Sequence, residues 1–156
     1  LAVPKDSPIN SVFEESRLTE EDIKGNSMKY LTSRPVDLKL IENEKLIVCE
    51  DGEFSAETVD NICTQSGFTP NYALQVRSVE TAFSFVNAGF GSAFIPDSLI
   101  RFGNYSVHPY YYPLPDILAK SDILLVYRKS GYLSKAAQEY GLMLKKMVNI
   151  GTWRIS

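Results

Sequence analysis

The sequence predicts an α/β fold, a mainly parallel sheet flanked by helices. Three observations predict it. The run Leu46-Ile47-Val48-Cys49 is continuously apolar, as in a strand buried on both faces. Between residues 44 and 96 the chain alternates strand, helix, strand, helix, strand with short connections, the rhythm of parallel crossover units. The two helical segments show one apolar face each, Val59, Ile62 and Cys63 in the first and Phe83, Phe85 and Val86 in the second.

Taken in order, Leu1 to Pro4 reads as the end of a strand. The chain opens on Leu inside an apolar run, so it is expected to be a piece of a longer protein. Pro4-Lys5-Asp6-Ser7-Pro8 is turn chemistry. Thr19-Glu20-Glu21-Asp22-Ile23-Lys24-Gly25 holds an N-cap, acids suited to the positive helix end, and a C-terminal glycine. Asn26 to Pro35 lacks periodicity and reads as an irregular segment.

Glu44 to Cys49 is a strand, turned by Glu50-Asp51-Gly52, and Ser55 to Ser66 a helix ended by Gly67. Tyr72 to Val76 is a strand leading into Ser78, a favoured N-cap, and a helix over Thr81 to Ala88. Ser92 to Ile95 is a third strand, closed by Pro96. Asp97 to Phe102 reads as a short helix, and Val107 to Tyr112 as an edge strand with half-buried tyrosines. Asp122 to Tyr127 reads as a strand and Leu133 to Val148 as the longest helix.

Composition narrows the function. The 156 residues carry 16 Lys and Arg against 19 Asp and Glu, a net charge of −3, which disfavours a broad nucleic-acid-binding face. No apolar run approaches the length of a membrane helix, and no secretory signal opens the chain. Two cysteines are too few for a disulfide framework, and a single histidine excludes His-rich metal clusters.

Four candidate clusters remain. Gly89-Phe90-Gly91 is half of a dinucleotide fingerprint, but it follows a helix and precedes a strand, the reverse of what phosphate binding needs, and so reads as a tight turn. Glu50, Asp51, Glu53 and Glu57 are placed to suit a helix N-terminus, or to hold a hard cation or do acid–base work. Cys49 and Cys63 suit core positions; a redox pair would need close α-carbons. His108, among Tyr105, Tyr110, Tyr111 and Tyr112, would need a nucleophile and an orienting acid to act as a base, and the sequence places neither.

Two stretches carry a family resemblance. The first is Val36 to Ile47. The second comprises Gly67-Phe68-Thr69-Pro70, Val76 to Ala82, and Phe85-Val86-Asn87-Ala88-Gly89-Phe90-Gly91-Ser92-Ala93-Phe94-Ile95-Pro96. With the tail from Ile123 to Ala137, their order and spacing resemble the effector-binding domain of LysR-type transcriptional regulators. Ala56 and Glu57 stand where members often place an early Arg.

The resemblance implies a type II, periplasmic-binding-protein-like fold: two α/β lobes joined by crossover strands, with a small effector between them. It implies that residues 1–4 are a crossover strand and residues 5–127 the second lobe. Residues 128–156 would be a return segment and C-terminal helix packing on the first lobe. Most of the first lobe and the helix-turn-helix are absent from this chain, so DNA would be reached only through that missing domain. The implied protein is bacterial and cytoplasmic, with no membrane, metal, cofactor or catalytic residue. The apolar stripe from Leu133 to Met147 points to self-association, hence a homo-oligomer.

Ligands of open α/β sheets sit beyond the carboxyl ends of the strands. The expected effector site is therefore Cys49, Glu50 and Asp51, Val76, Arg77 and Ser78, with Phe94 as an apolar wall. A solute-binding protein for transport is the rival reading, and an enzyme using Glu50 and Asp51 a third.

Overall fold

The computed structural model describes residues 1–52, 54–115 and 132–147. The chain divides into two compact units, Leu1–Lys120 and Ser121–Ser156. The first holds a five-stranded sheet of β1 (Ala2–Val3), β2 (Lys45–Cys49), β3 (Asn71–Val76), β4 (Ser92–Ala93) and β5 (Tyr110–Tyr111), in the order β3-β2-β4-β1-β5. β2 is parallel to β3 and β4, and β1 runs antiparallel to β4 and β5. The sheet is thus mixed but mostly parallel.

Alternation along β2 explains its unbroken apolar run. Leu46 and Val48 enter one core with Val59, Ile62 and Cys63, whereas Ile47 and Cys49 enter a second with Ala82, Phe83 and Val86. The first core belongs to the helix Ala56–Gln65 and the second to the helix Val79–Asn87. In chain order the α-helices of the described residues are α1 (Ile9–Val12), α2 (Glu20–Lys24), α3 (Met28–Thr32), α4 (Ala56–Gln65), α5 (Val79–Asn87), α6 (Asp97–Phe102) and α7 (Lys135–Met147).

The register of β3 shifts between Leu46/Ile47, pairing Tyr72 with Leu46 and Leu74 with Ile47. The extra residue, Ala73, sends Tyr72 to the α4 face while Leu74 and Val76 cover the α5 face. The Tyr72 hydroxyl accordingly donates to Asp60 Oδ1 at 2.7 Å. Such a bulge also blunts an edge strand as a template for pairing.

Several expectations are corrected. Asn26 to Pro35 contains α3, capped by the Ser27 hydroxyl, which accepts from the Tyr30 amide. Its five residues are too few to show periodicity, and contacts hold it: Tyr30 Oη donates to Asp97 at 3.1 Å and Arg101 lies over the Tyr30 ring. The approach to β2 over Leu38–Ile41, for which no element was expected, is a 3-10 turn capped by Asp37. The third strand is only Ser92–Ala93. The strand expected over Val107 to Tyr112 is only Tyr110–Tyr111; Tyr110 is half-buried as expected, whereas Tyr111 at 5% and Tyr112 at 2% are buried.

The second unit contains α7. The Ser134 hydroxyl accepts from the Ala137 amide at 3.2 Å, so the helix begins two residues after Leu133. The strand expected over Asp122 to Tyr127, and Val148, lie outside the described residues. No described helix is long and apolar enough to cross a membrane.

Candidate functional site

Because β2, β3 and β4 are parallel, their carboxyl ends form one edge. At this edge the Glu50 amide donates to the Val76 carbonyl at 2.8 Å, extending the β2–β3 ladder by one residue. The chains then diverge, Glu50-Asp51-Gly52 into a turn and Arg77-Ser78 into α5. Arg77 Nε lies 3.9 Å from Glu50 Oε2, with the two side chains 91% and 50% exposed. An ion pair this open holds both groups loosely and leaves them accessible to a third charge.

Ser78 has extended backbone geometry and its hydroxyl accepts from the Thr81 amide at 3.2 Å. The amides of Val79 and Glu80 precede the first intrahelical bond, so they face outward with the positive end of the helix dipole. An open hollow of about 420 Å³ lies against this turn, lined by Val79, Glu80, Pro96, Ser98, Leu99 and Tyr105 among others. It lies between α5 and α6, on the α5 face of the sheet.

The structure therefore gathers Glu50, Arg77 and Ser78 at the edge, with Asp51 exposed beside them. It places three other expected residues differently. The side chains of Cys49 and Val76 are buried in the α5-side core. Phe94 is buried on the opposite face against Phe54, with ring centroids 6.0 Å apart. Pro96, two residues on, lines the hollow. Val79 and Glu80 follow directly from the Ser78 cap; Ser98 and Leu99 arrive through α6 and Tyr105 through the loop after it, and they leave no signal in the sequence.

Burial pushes the Cys49 thiol up, helped by the charge of Glu80, and pushes the Cys63 thiol up to about 11. Both cysteines are free, and they belong to cores on opposite faces of the sheet. Among the described residues no three His, Cys, Asp or Glu side chains converge as a metal site would require; Glu53 lies outside those residues. His108, in contrast, meets the partners the sequence left unplaced, Glu20 and Tyr111.

Comparison with known proteins adds the following. The family model described as the LysR substrate binding domain matches residues 27–148. A protein of Bacillus subtilis (strain 168), named as an uncharacterized HTH-type transcriptional regulator YcgK, is 29% identical over 105 residues. That alignment covers 67% of this chain and 32% of the relative, so the chain matches about a third of the relative's length. The comparison with solved structures found no match.

Proposed function

Because this chain belongs to the LysR substrate-binding-domain family, we propose that the carboxyl edge of its sheet is where a small effector is sensed. The chain itself is an effector-sensing domain of a LysR-type regulator, with the family's type II, periplasmic-binding-protein-like α/β fold. The reading of the edge as the sensing surface is supported most by one observation. The ends of β2 and β3 and the first turn of α5 converge beside an open hollow, with Glu50 and Arg77 only loosely paired.

The effector that fits is small and polar. An anionic group would sit at the outward amides of Val79 and Glu80, near Ser78 and Arg77. A donor group would face Glu50, and an apolar part would enter the hollow against Pro96 and Leu99. Binding would bias the conformation of the complete regulator, which would act on DNA through a helix-turn-helix domain, as the relative's name suggests. No turnover is required. The regulator name of the relative favours this reading over transport.

Calorimetric titration of the chain with a panel of small carboxylates and inorganic phosphate tests the site. For a ligand that binds, Ser78→Gly and Arg77→Ala should each weaken affinity by about tenfold, a loss near 1.4 kcal/mol. Unchanged affinity in both variants would move the effector off this edge.

A further inference from the structure

Away from the carboxyl edge, the chain's single histidine sits in a built polar constellation. The His108 side chain is only 11% exposed, and its Nε2 lies 2.8 Å from Glu20 Oε2. The same nitrogen is 3.0 Å from the Tyr105 carbonyl oxygen. Nδ1 is 2.7 Å from the Tyr111 hydroxyl. A carboxylate and a carbonyl can only accept, so Nε2 carries the ring hydrogen in the neutral imidazole. Tyr111 then donates to Nδ1. Its burial, with the charge of Glu20 nearby, raises the phenol's pKa and keeps it a donor. The hydrogen bonds thus run in one direction, hydroxyl to ring to carboxylate.

The ring is also part of a wall. His108 meets Phe83 of α5 edge-on, with centroids 5.8 Å apart. Phe83 packs on Tyr105 at 4.5 Å. Tyr105 lines the hollow at the first turn of α5. On the other side, His108 lines a second hollow of about 360 Å³ with Lys5, Glu20 and Tyr110. That second hollow lies toward the amino edge, since Val3 pairs with Tyr110 where β1 ends and β5 begins. Phe83, Tyr105 and His108 therefore stand between the two edges of the sheet.

We propose that His108 is a positioning residue for the carboxyl-edge hollow, held in one tautomer by Glu20 and Tyr111 and setting Tyr105 and Phe83. Its charged surroundings come from α2, whose Glu20 and Glu21 face it and whose Lys24 pairs with Glu20. α5 presents the apolar Phe83 to the ring, and Lys5 shares the second hollow. Both ring nitrogens are engaged within the protein, by the Tyr111 hydroxyl on one side and by Glu20 and the Tyr105 carbonyl on the other, which makes the array a brace rather than a catalytic group. The consequence for effector binding rests on the function proposed above; the coupling itself does not.

With one histidine, the imidazole nitrogens are read from a long-range ¹H–¹⁵N correlation spectrum without assignment. The ligand-free chain at mildly alkaline pH should show only the Nε2–H pattern. Glu20→Ala should disturb that pattern and move the backbone amides of Val79, Ser98 and Leu99 by more than a linewidth. Glu20→Gln, whose amide oxygen still accepts, should restore both. Tyr111→Phe, which removes the donor at Nδ1 and preserves the ring, should also move those amides. An Nδ1–H pattern in the parent chain would overturn the proposal. So would hollow amides that stay in place while the histidine signals change. If the coupling holds but Glu20→Ala leaves the affinity of a bound carboxylate unchanged, the assignment of the effector edge fails and the brace stands.

Discussion

At the scale of single residues, the polar side chains that matter most are helix caps. Ser78 is placed to do two things, and substitution separates them. If it only caps α5, Ser78→Gly should cost a few tenths of a kcal/mol and Ser78→Ala about 1 kcal/mol in urea unfolding. A larger loss confined to ligand affinity marks a contact with effector. Asp22 is the better pH probe. Its carboxylate accepts from the Ser27 hydroxyl at 2.7 Å and from the Thr19 amide at 3.0 Å, while the Thr19 hydroxyl accepts from the Asp22 amide. The Ser27 bond, then the Thr19 amide, holds the Asp22 carboxyl below its ordinary pKa. A carboxyl lowered on folding stabilises the folded state above its unfolded pKa of about 3.9, and that contribution is lost as pH falls through the folded value. The parent chain should therefore exceed Asp22→Asn in stability at pH 7, and the gap should narrow by pH 3. Solvent screening keeps the pH-dependent part to a few tenths of a kcal/mol. Urea midpoints at the two pH values measure it, and an equal gap at both would remove Asp22 from the cap.

At the scale of elements, α4 and α5 end in the same device. Phe68 and Gly67 amides donate to the Cys63 and Thr64 carbonyls; Phe90 and Gly89 amides donate to those of Phe85 and Val86. Both are Schellman closures, with Gly67 at φ 82° and Gly89 at φ 83°, and Phe90 packs edge-on against Phe85 at 5.3 Å. Ala at either glycine should cost about 1 kcal/mol through backbone strain. Gly91 has a different constraint. A Cβ there would stand 2.6 Å from the Lys45 carbonyl oxygen, a backbone atom that can yield only by moving β2. Gly91→Ala should cost about 1–3 kcal/mol, in the range of overpacked cores, and should disturb the pairing of Leu46 with Ser92. Urea denaturation of the three variants ranks them, and a Gly91→Ala chain as stable as the parent would refute the close approach. The glycines of Gly89-Phe90-Gly91 are thus explained by a helix-to-strand turn, as their order in the sequence implied.

At the scale of the whole molecule, the first and last strands of the sheet are fastened by one buried asparagine. Asn10 Nδ2 donates to the carbonyls of Pro4 at 2.8 Å and Lys5 at 2.9 Å, and Asn10 Oδ1 accepts from the Tyr112 hydroxyl at 2.8 Å. Asn10→Ala orphans the buried Tyr112 hydroxyl and takes a donor from the Pro4 and Lys5 carbonyls, leaving Pro4 only the Ser7 amide. The loss should be about 2–3 kcal/mol, larger than in Tyr112→Phe, which orphans only one acceptor. Chemical denaturation gives both values; a negligible loss in Asn10→Ala would show the network idle. The chain's charge makes a second forecast. With a net −3, it should give no saturable, sequence-selective shift of DNA near physiological salt. Selective binding below about a micromolar would contradict the assignment of DNA contact to another domain.

What the sequence determined by itself was local and periodic. The unbroken run in β2, the one-faced helices α4 and α5, and the caps Thr19 and Ser78 each rest on residues a few positions apart, whose spacing is visible in one dimension. The edge that carries Glu50, Arg77 and Ser78 followed from parallel strands, because parallel strands bring their ends together. Tertiary structure alone decided the rest. α1 and α3 are held by Asn10 and Tyr30 through partners elsewhere in the chain, and segments that short have no period to read. Ala73 moved Tyr72 to the other face of the sheet by inserting one residue in a ladder whose side-chain period is two. Phe94 went to the core, since a buried phenylalanine packs wherever a complementary surface waits, here Phe54. His108 met Glu20 across 88 residues of sequence, and only the pairing of Leu18, just before α2, with Tyr111 of β5 brings that carboxylate to the ring.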